Sequence, residues 1–169
     1  MKFIQNYKYS ITNISLQTET PNKMGYDISI LCPEDYSEYK SQTEDNSNEE
    51  ASLPCGKKNL YISYNHKDTL TKYGVYPRDL NEMTVRDILS KLYNAILSMV
   101  SDGIEVDKEI LTYEFKDVWI AEGRRQNIDE NLRIANRYYE DKPSVTLAIL
   151  IRIRNDLEKC DMTDIWISN

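Results

Sequence analysis

VTLAILIRIR, Val145 to Arg154, is the stretch on which the fold of this chain turns, because two periods fit it. Leu147 to Ile151 is an unbroken aliphatic run of five residues, closed by Arg152. Ile149, Ile151 and Ile153 alternate with Leu150, Arg152 and Arg154, and the run is dense in the β-branched side chains that suit a pleated surface. A helix over the same residues stays open, but the alternation favours a strand. Downstream, Asp164-Ile-Trp-Ile-Ser168 is expected as a last short strand.

Upstream, a helix is expected over 127–140. Asn127 with Glu130 can cap it, Ile128, Leu132, Ala135 and Tyr139 line one face, and Pro143 follows its end. Before it, Glu109-Ile-Leu-Thr-Tyr-Glu-Phe115 alternates, with Leu111, Tyr113 and Phe115 on one face, which reads as a strand. A helix from Asp107 to Glu122 is the alternative there. The clearest periodicity lies over 84–102, where Val85, Ile88, Leu89, Leu92, Ile96, Met99 and Val100 recur at spacings of three and four. Thr84 and Asp87 can box its start, and Gly103 suits the left-handed position after its end.

Three more strands are expected nearer the N-terminus: Tyr7–Gln17 with a slip of phase near Thr12-Asn13, Tyr26–Leu31 ended by Pro33, and Asn59–Tyr64. The first two would form a hairpin. The chain therefore reads as a single α+β domain over 1–169, with a largely antiparallel sheet of about six strands and two main helices, 84–102 and 127–140. A polar, acidic loop is expected as an insertion at about 34–58.

The acidity of that insertion is concentrated. Residues 34–50, EDYSEYKSQTEDNSNEE, hold seven carboxylates against Lys40, which is most of the net charge of −7. Such a balance disfavours nucleic acid or an anionic membrane as a direct partner. No apolar run approaches the roughly 20 residues of a membrane-spanning helix. MKFIQNYKYS lacks an apolar signal segment, so cytoplasmic residence is expected. Cys32, Cys55 and Cys160 form no C-x-x-C pair, and reduced thiols are favoured over a bridge between Cys32 and Cys55.

Catalytic signals are few. His66 is the single histidine, with no triad or ligand spacing around it, and is expected as an exposed polar residue closing a strand. The five glycines never approach G-x-G or Walker spacing. No cofactor or metal is therefore expected. Glu114-Phe115-Lys116 matches the acid-x-Lys triplet of PD-(D/E)xK nucleases, whose carboxylate holds Mg²⁺ and whose lysine approaches the attacked phosphate; Asp102 or Asp107 could precede it as a ligand. The same triplet recurs at Glu38-Tyr39-Lys40 and Glu140-Asp141-Lys142, so it is cheap in a chain this charged. Gly123-Arg-Arg-Gln126 with Arg133 and Arg137 could hold an anion, but interspersed acids favour an ion-paired helix face.

Thirteen tyrosines stand against two tryptophans and two phenylalanines. An AT-rich genome accounts for much of that excess; Tyr36 and Tyr39 are the exceptions, since they sit inside the acidic stretch. The profile of a small acidic domain without catalytic motifs resembles immunity proteins that neutralise toxins and phage-encoded inhibitors of defence enzymes. No residue motif ties it to one family. The expectation is a non-enzymatic inhibitor or immunity-type protein that neutralises a basic partner such as a toxin or nuclease. Its contacts would be Glu34, Asp35, Tyr36, Glu38, Tyr39, Glu44, Asp45, Glu49 and Glu50. The alternative is a Mg-dependent nuclease using Glu114 and Lys116.

Overall fold

Gly25–Leu31 forms the central strand, β1, and carries the core on its alternate side chains. The computed structural model describes residues 25–45, 56–114 and 126–168. Two strands flank β1 and both run antiparallel to it: β2, Lys58–Ser63, and β3, Ile165–Ser168, in the order β2-β1-β3. The register sets Tyr26 opposite Ile62, Ile28 opposite Leu60 and Ile30 opposite Trp166. Side chains directly opposite share a face, so these six buried residues make one apolar surface. Ser29 and Leu31, on the other face of β1, are buried too, while Asp27 on that face is exposed, so the second face is covered only toward the end of the strand.

Six α-helices make up most of the rest of the described chain: α1 (Pro33–Asp45), α2 (Lys67–Lys72), α3 (Val85–Ser101), α4 (Lys108–Thr112), α5 (Gln126–Arg137) and α6 (Pro143–Leu157). The class is α+β, but the expected architecture is overturned. Among the described residues the sheet has three strands rather than six, and there are six α-helices rather than two. The strand expected at Tyr7–Gln17 lies outside the described residues. Those expected at Glu109–Phe115 and Val145–Arg154 are helical over Lys108–Thr112 and throughout Val145–Arg154.

The reason lies in α6 itself. Pro143 occupies its first turn, where a fixed φ and a missing N–H cost nothing. Val145 through Leu150, Ile153 and Leu157 are all buried, so the helix is covered on nearly every side, and such a helix loses the polar stripe that would mark its period. Its side-chain propensities favour a strand weakly, and tertiary burial overrides them. The arginine that closes the aliphatic run has a structural task. Arg152 Nη1 donates to the carbonyls of Ile110, Leu111 and Tyr113, between 2.9 and 3.1 Å, and so closes the C-terminal end of α4. The start of α4 is capped by Asp107, whose Oδ1 accepts the Ile110 amide at 3.1 Å.

α3 follows its pattern closely. Thr84 Oγ1 accepts the Asp87 amide at 3.3 Å, and Gly103 takes a φ of +82° just beyond the C-terminal end. Val85, Ile88, Leu89, Leu92, Ala95, Ile96 and Met99 are buried, and the helix packs against α6. Val100, expected on that stripe, points outward with Tyr93 and Leu97. No helix among the described residues is long and apolar enough to cross a membrane.

Candidate functional site: the acidic helix

The segment expected as a polar loop is a helix from Pro33 to Asp45; residues 46–55 lie outside the described chain. Proline again sits at the first helical position, and Glu34 and Asp35 fill the first turn, where carboxylates offset the positive end of the helix dipole. The Asp35 amide is 3.4 Å from Cys32 Sγ, and the Tyr36 amide donates to the Cys32 carbonyl at 2.9 Å. The Asp35 amide pulls the Cys32 thiol pKa down, yet the net shift is upward, because the Asp35 and Glu34 carboxylates and local burial together outweigh it.

Four residues at helical spacing, Tyr36, Tyr39, Lys40 and Thr43, are half-buried and face the body of the protein. Glu34, Asp35, Glu38 and Glu44 are exposed on the other side. The expected contact set thus divides. Tyr36 and Tyr39 belong to the inner stripe, the four carboxylates to the outer face, Asp45 closes the helix, and Glu49 and Glu50 lie outside the described residues. Among the described residues none of the four outer carboxylates forms an ion pair; Glu38 Oε1 only accepts from Gln42 Nε2, at 3.3 Å. The helix's lysine does not neutralise them either. Lys40 Nζ lies over the Tyr36 ring and meets Glu82 Oε1 at 2.8 Å.

Some acids elsewhere are neutralised by the fold, while Asp68, Asp79, Glu105 and Asp141 form no ion pair among the described residues. The buried Asp164 takes the Lys57 ammonium at 3.1 Å and the Asp161 amide at 3.1 Å. Lys58 pairs with Asp156 at 3.3 Å. Arg137 holds Asp107 and Glu109, and Arg133 holds Glu109 and Glu130. Arg133 and Arg137 therefore belong to an ion-paired face; Gly123 to Arg125 lie outside the described residues.

His66 is fully buried, not exposed as expected. Its Nε2 lies 2.6 Å from the Tyr138 carbonyl, an acceptor only, so Nε2 carries the proton. Nδ1 lies 2.9 Å from Thr146 Oγ1. Burial lowers its pKa, with the Tyr138 carbonyl and the Asp141 charge acting against that. The ring is a tie between the end of β2, the segment after α5 and the start of α6.

Glu114 is exposed just beyond α4, and Lys116 lies outside the described residues. The strand that would have aligned the two is a helix through Thr112. Of the proposed preceding ligands, Asp107 caps α4 and pairs with Arg137, and Asp102 accepts from Tyr73 Oη at 2.6 Å. Among the described residues no group of three or more His, Cys, Asp or Glu side chains is placed to hold a metal ion.

Sequence reasoning missed Glu82 altogether. It is the second central residue of a type II turn, in which the Met83 amide donates to the Leu80 carbonyl at 3.1 Å; Asn81 has φ −58° and ψ 136°, and Glu82 has φ +65°. Glycine or asparagine at that position would have announced the turn; glutamate does not. Comparison with protein-family models, with curated proteins and with solved structures finds no match to this chain.

Proposed function

We propose that this chain is a non-enzymatic inhibitor or immunity-type protein that docks its acidic helix against a basic protein, such as a toxin or a nucleic-acid-processing enzyme. One observation carries the reading. Glu34, Asp35, Glu38 and Glu44 gather on the outer face of one helix with no counter-ion among the described residues, whereas other acids without an ion pair, such as Asp68, Asp79 and Glu105, are spread along the chain. Clustered charge of one sign steers a partner of the opposite sign and raises its rate of encounter. A helix also presents its carboxylates at set spacings, so less ordering is needed on binding than a loop would require.

The partner is to be isolated by co-purification from the native host and then titrated directly. Replacing the four outer acids together (E34Q, D35N, E38Q, E44Q) should slow association about tenfold or more at low ionic strength and flatten its salt dependence. Dissociation should change less. An unaltered association rate would remove α1 from the interface. Mg²⁺-dependent cleavage of DNA or RNA by the purified chain, lost in E114A, would overturn the inhibitor reading as a whole.

A further inference from the structure

Glu82 occupies a left-handed backbone conformation that glycine adopts freely and a side chain such as glutamate rarely does. Strain of this kind persists where the surrounding structure needs that residue. Here the turn itself needs only the conformation, so the explanation must lie in the side chain. Its carboxylate reaches Lys40, 42 residues away in sequence, and among the described residues this is the one ion pair joining α1 to another element. The rest of the attachment is thin, because α1 buries none of its described side chains completely and its inner stripe is two tyrosines, a lysine and a threonine.

We propose that Glu82 is a positioning residue for the acidic helix: it retains a strained turn so that its carboxylate can hold Lys40 and fix α1 with the four acids outward. The backbone around Glu82 is firmly placed for this task. Its amide donates to the Trp166 carbonyl at 2.8 Å, and the Trp166 amide donates to the Met83 carbonyl at 3.0 Å, so the turn is stitched to the outer edge of β3. α1 is thereby referenced to the sheet through one solvent-facing pair, with both side chains a little over 40% exposed. Such a pair is screened by salt. Ionic strength therefore loosens the helix as well as weakening its long-range attraction for a cation. The tether deepens the docking reading, and depends on it only for what happens at the partner.

Hydrogen exchange read by mass spectrometry on the full chain tests the tether without any partner. In E82Q, which keeps the strain and loses the charge, and in K40M, which leaves the turn untouched, α1 amides should exchange about two- to fivefold faster while β1 and β3 are unchanged. E82G should loosen α1 equally, yet unfold at the same temperature as the parent or higher. The swap K40E with E82K should restore protection, and added salt should accelerate exchange in α1 of the parent but not of E82Q. Unchanged protection of α1 in E82Q and K40M would overturn the proposal, as would a lower unfolding temperature in E82G, which would make Glu82 a support of the whole fold. Intact tethering with acid-to-amide variants that bind normally would sink the docking reading alone.

Discussion

α1 and α6 both begin on a proline, and beyond that they are opposites. α6 is 15 residues long and buries eight of them; α1 is 13 residues long and buries none completely among those described. The first is held by apolar area and by Arg152, the second by half-buried tyrosines and one exposed ion pair. The difference separates two tasks within the described chain. α6 contributes to keeping the fold, while α1 contributes charge to its surface and little to its stability.

The largest expected effects test the α6 side of that contrast. Leu147→Ala or Leu150→Ala should lower unfolding free energy by about 2–5 kcal/mol in chemical denaturation, since each side chain is almost fully buried in a packed core. Arg152→Met should cost about 1–3 kcal/mol, because three carbonyls at the end of α4 lose a donor. Exchange in α4 should rise with it. A loss in α4 protection without loss of stability would show that the two helices are less coupled than their hydrogen bonds indicate.

A smaller effect is set by pH. Burial depresses the pKa of His66 below 6.5, so the unfolded chain binds the proton more readily than the folded one. The stability this contributes is fully present above the unfolded value and is lost as pH falls through the folded one. Parent protein should therefore weaken on acidification below about pH 6.5, and His66→Gln should flatten that slope. A slope that survives in the variant would assign it to the carboxylates. The smallest expected change is on α1, where Glu38→Gln and Glu44→Gln should leave the denaturation midpoint in place. A clear shift there would mean that the outer face supports the fold and would blur the contrast.

The helices legible in the sequence are those with one wet face. α3 and α5 alternate apolar and polar side chains at the helical period, so both helices stand out, although in α5 Asn131 and Ile134 are buried rather than Leu132 and Ala135. α6 hides its period because both faces are dry, and α1 because its inner stripe contains no aliphatic residue. For the site, the concentration of negative charge was readable, but its arrangement was not. A loop and a polar helix have the same composition, and only the spacing of Tyr36, Tyr39, Lys40 and Thr43 could have distinguished them. Glu82 and the buried His66 carried no local signal, since their roles depend on Lys40, Tyr138 and Thr146, which are distant in sequence.

The sheet order also governs timing during synthesis. One of the two neighbours of β1, Ile165–Ser168, is translated more than a hundred residues after it. Until then one edge of β1 lacks its native strand and Trp166 is missing from the apolar face. A nascent chain in that condition exposes hydrogen-bonding groups and apolar surface that other chains can capture. Ribosome-stalled fragments ending before Ile165 should accordingly engage chaperones more strongly than those extended beyond Ser168.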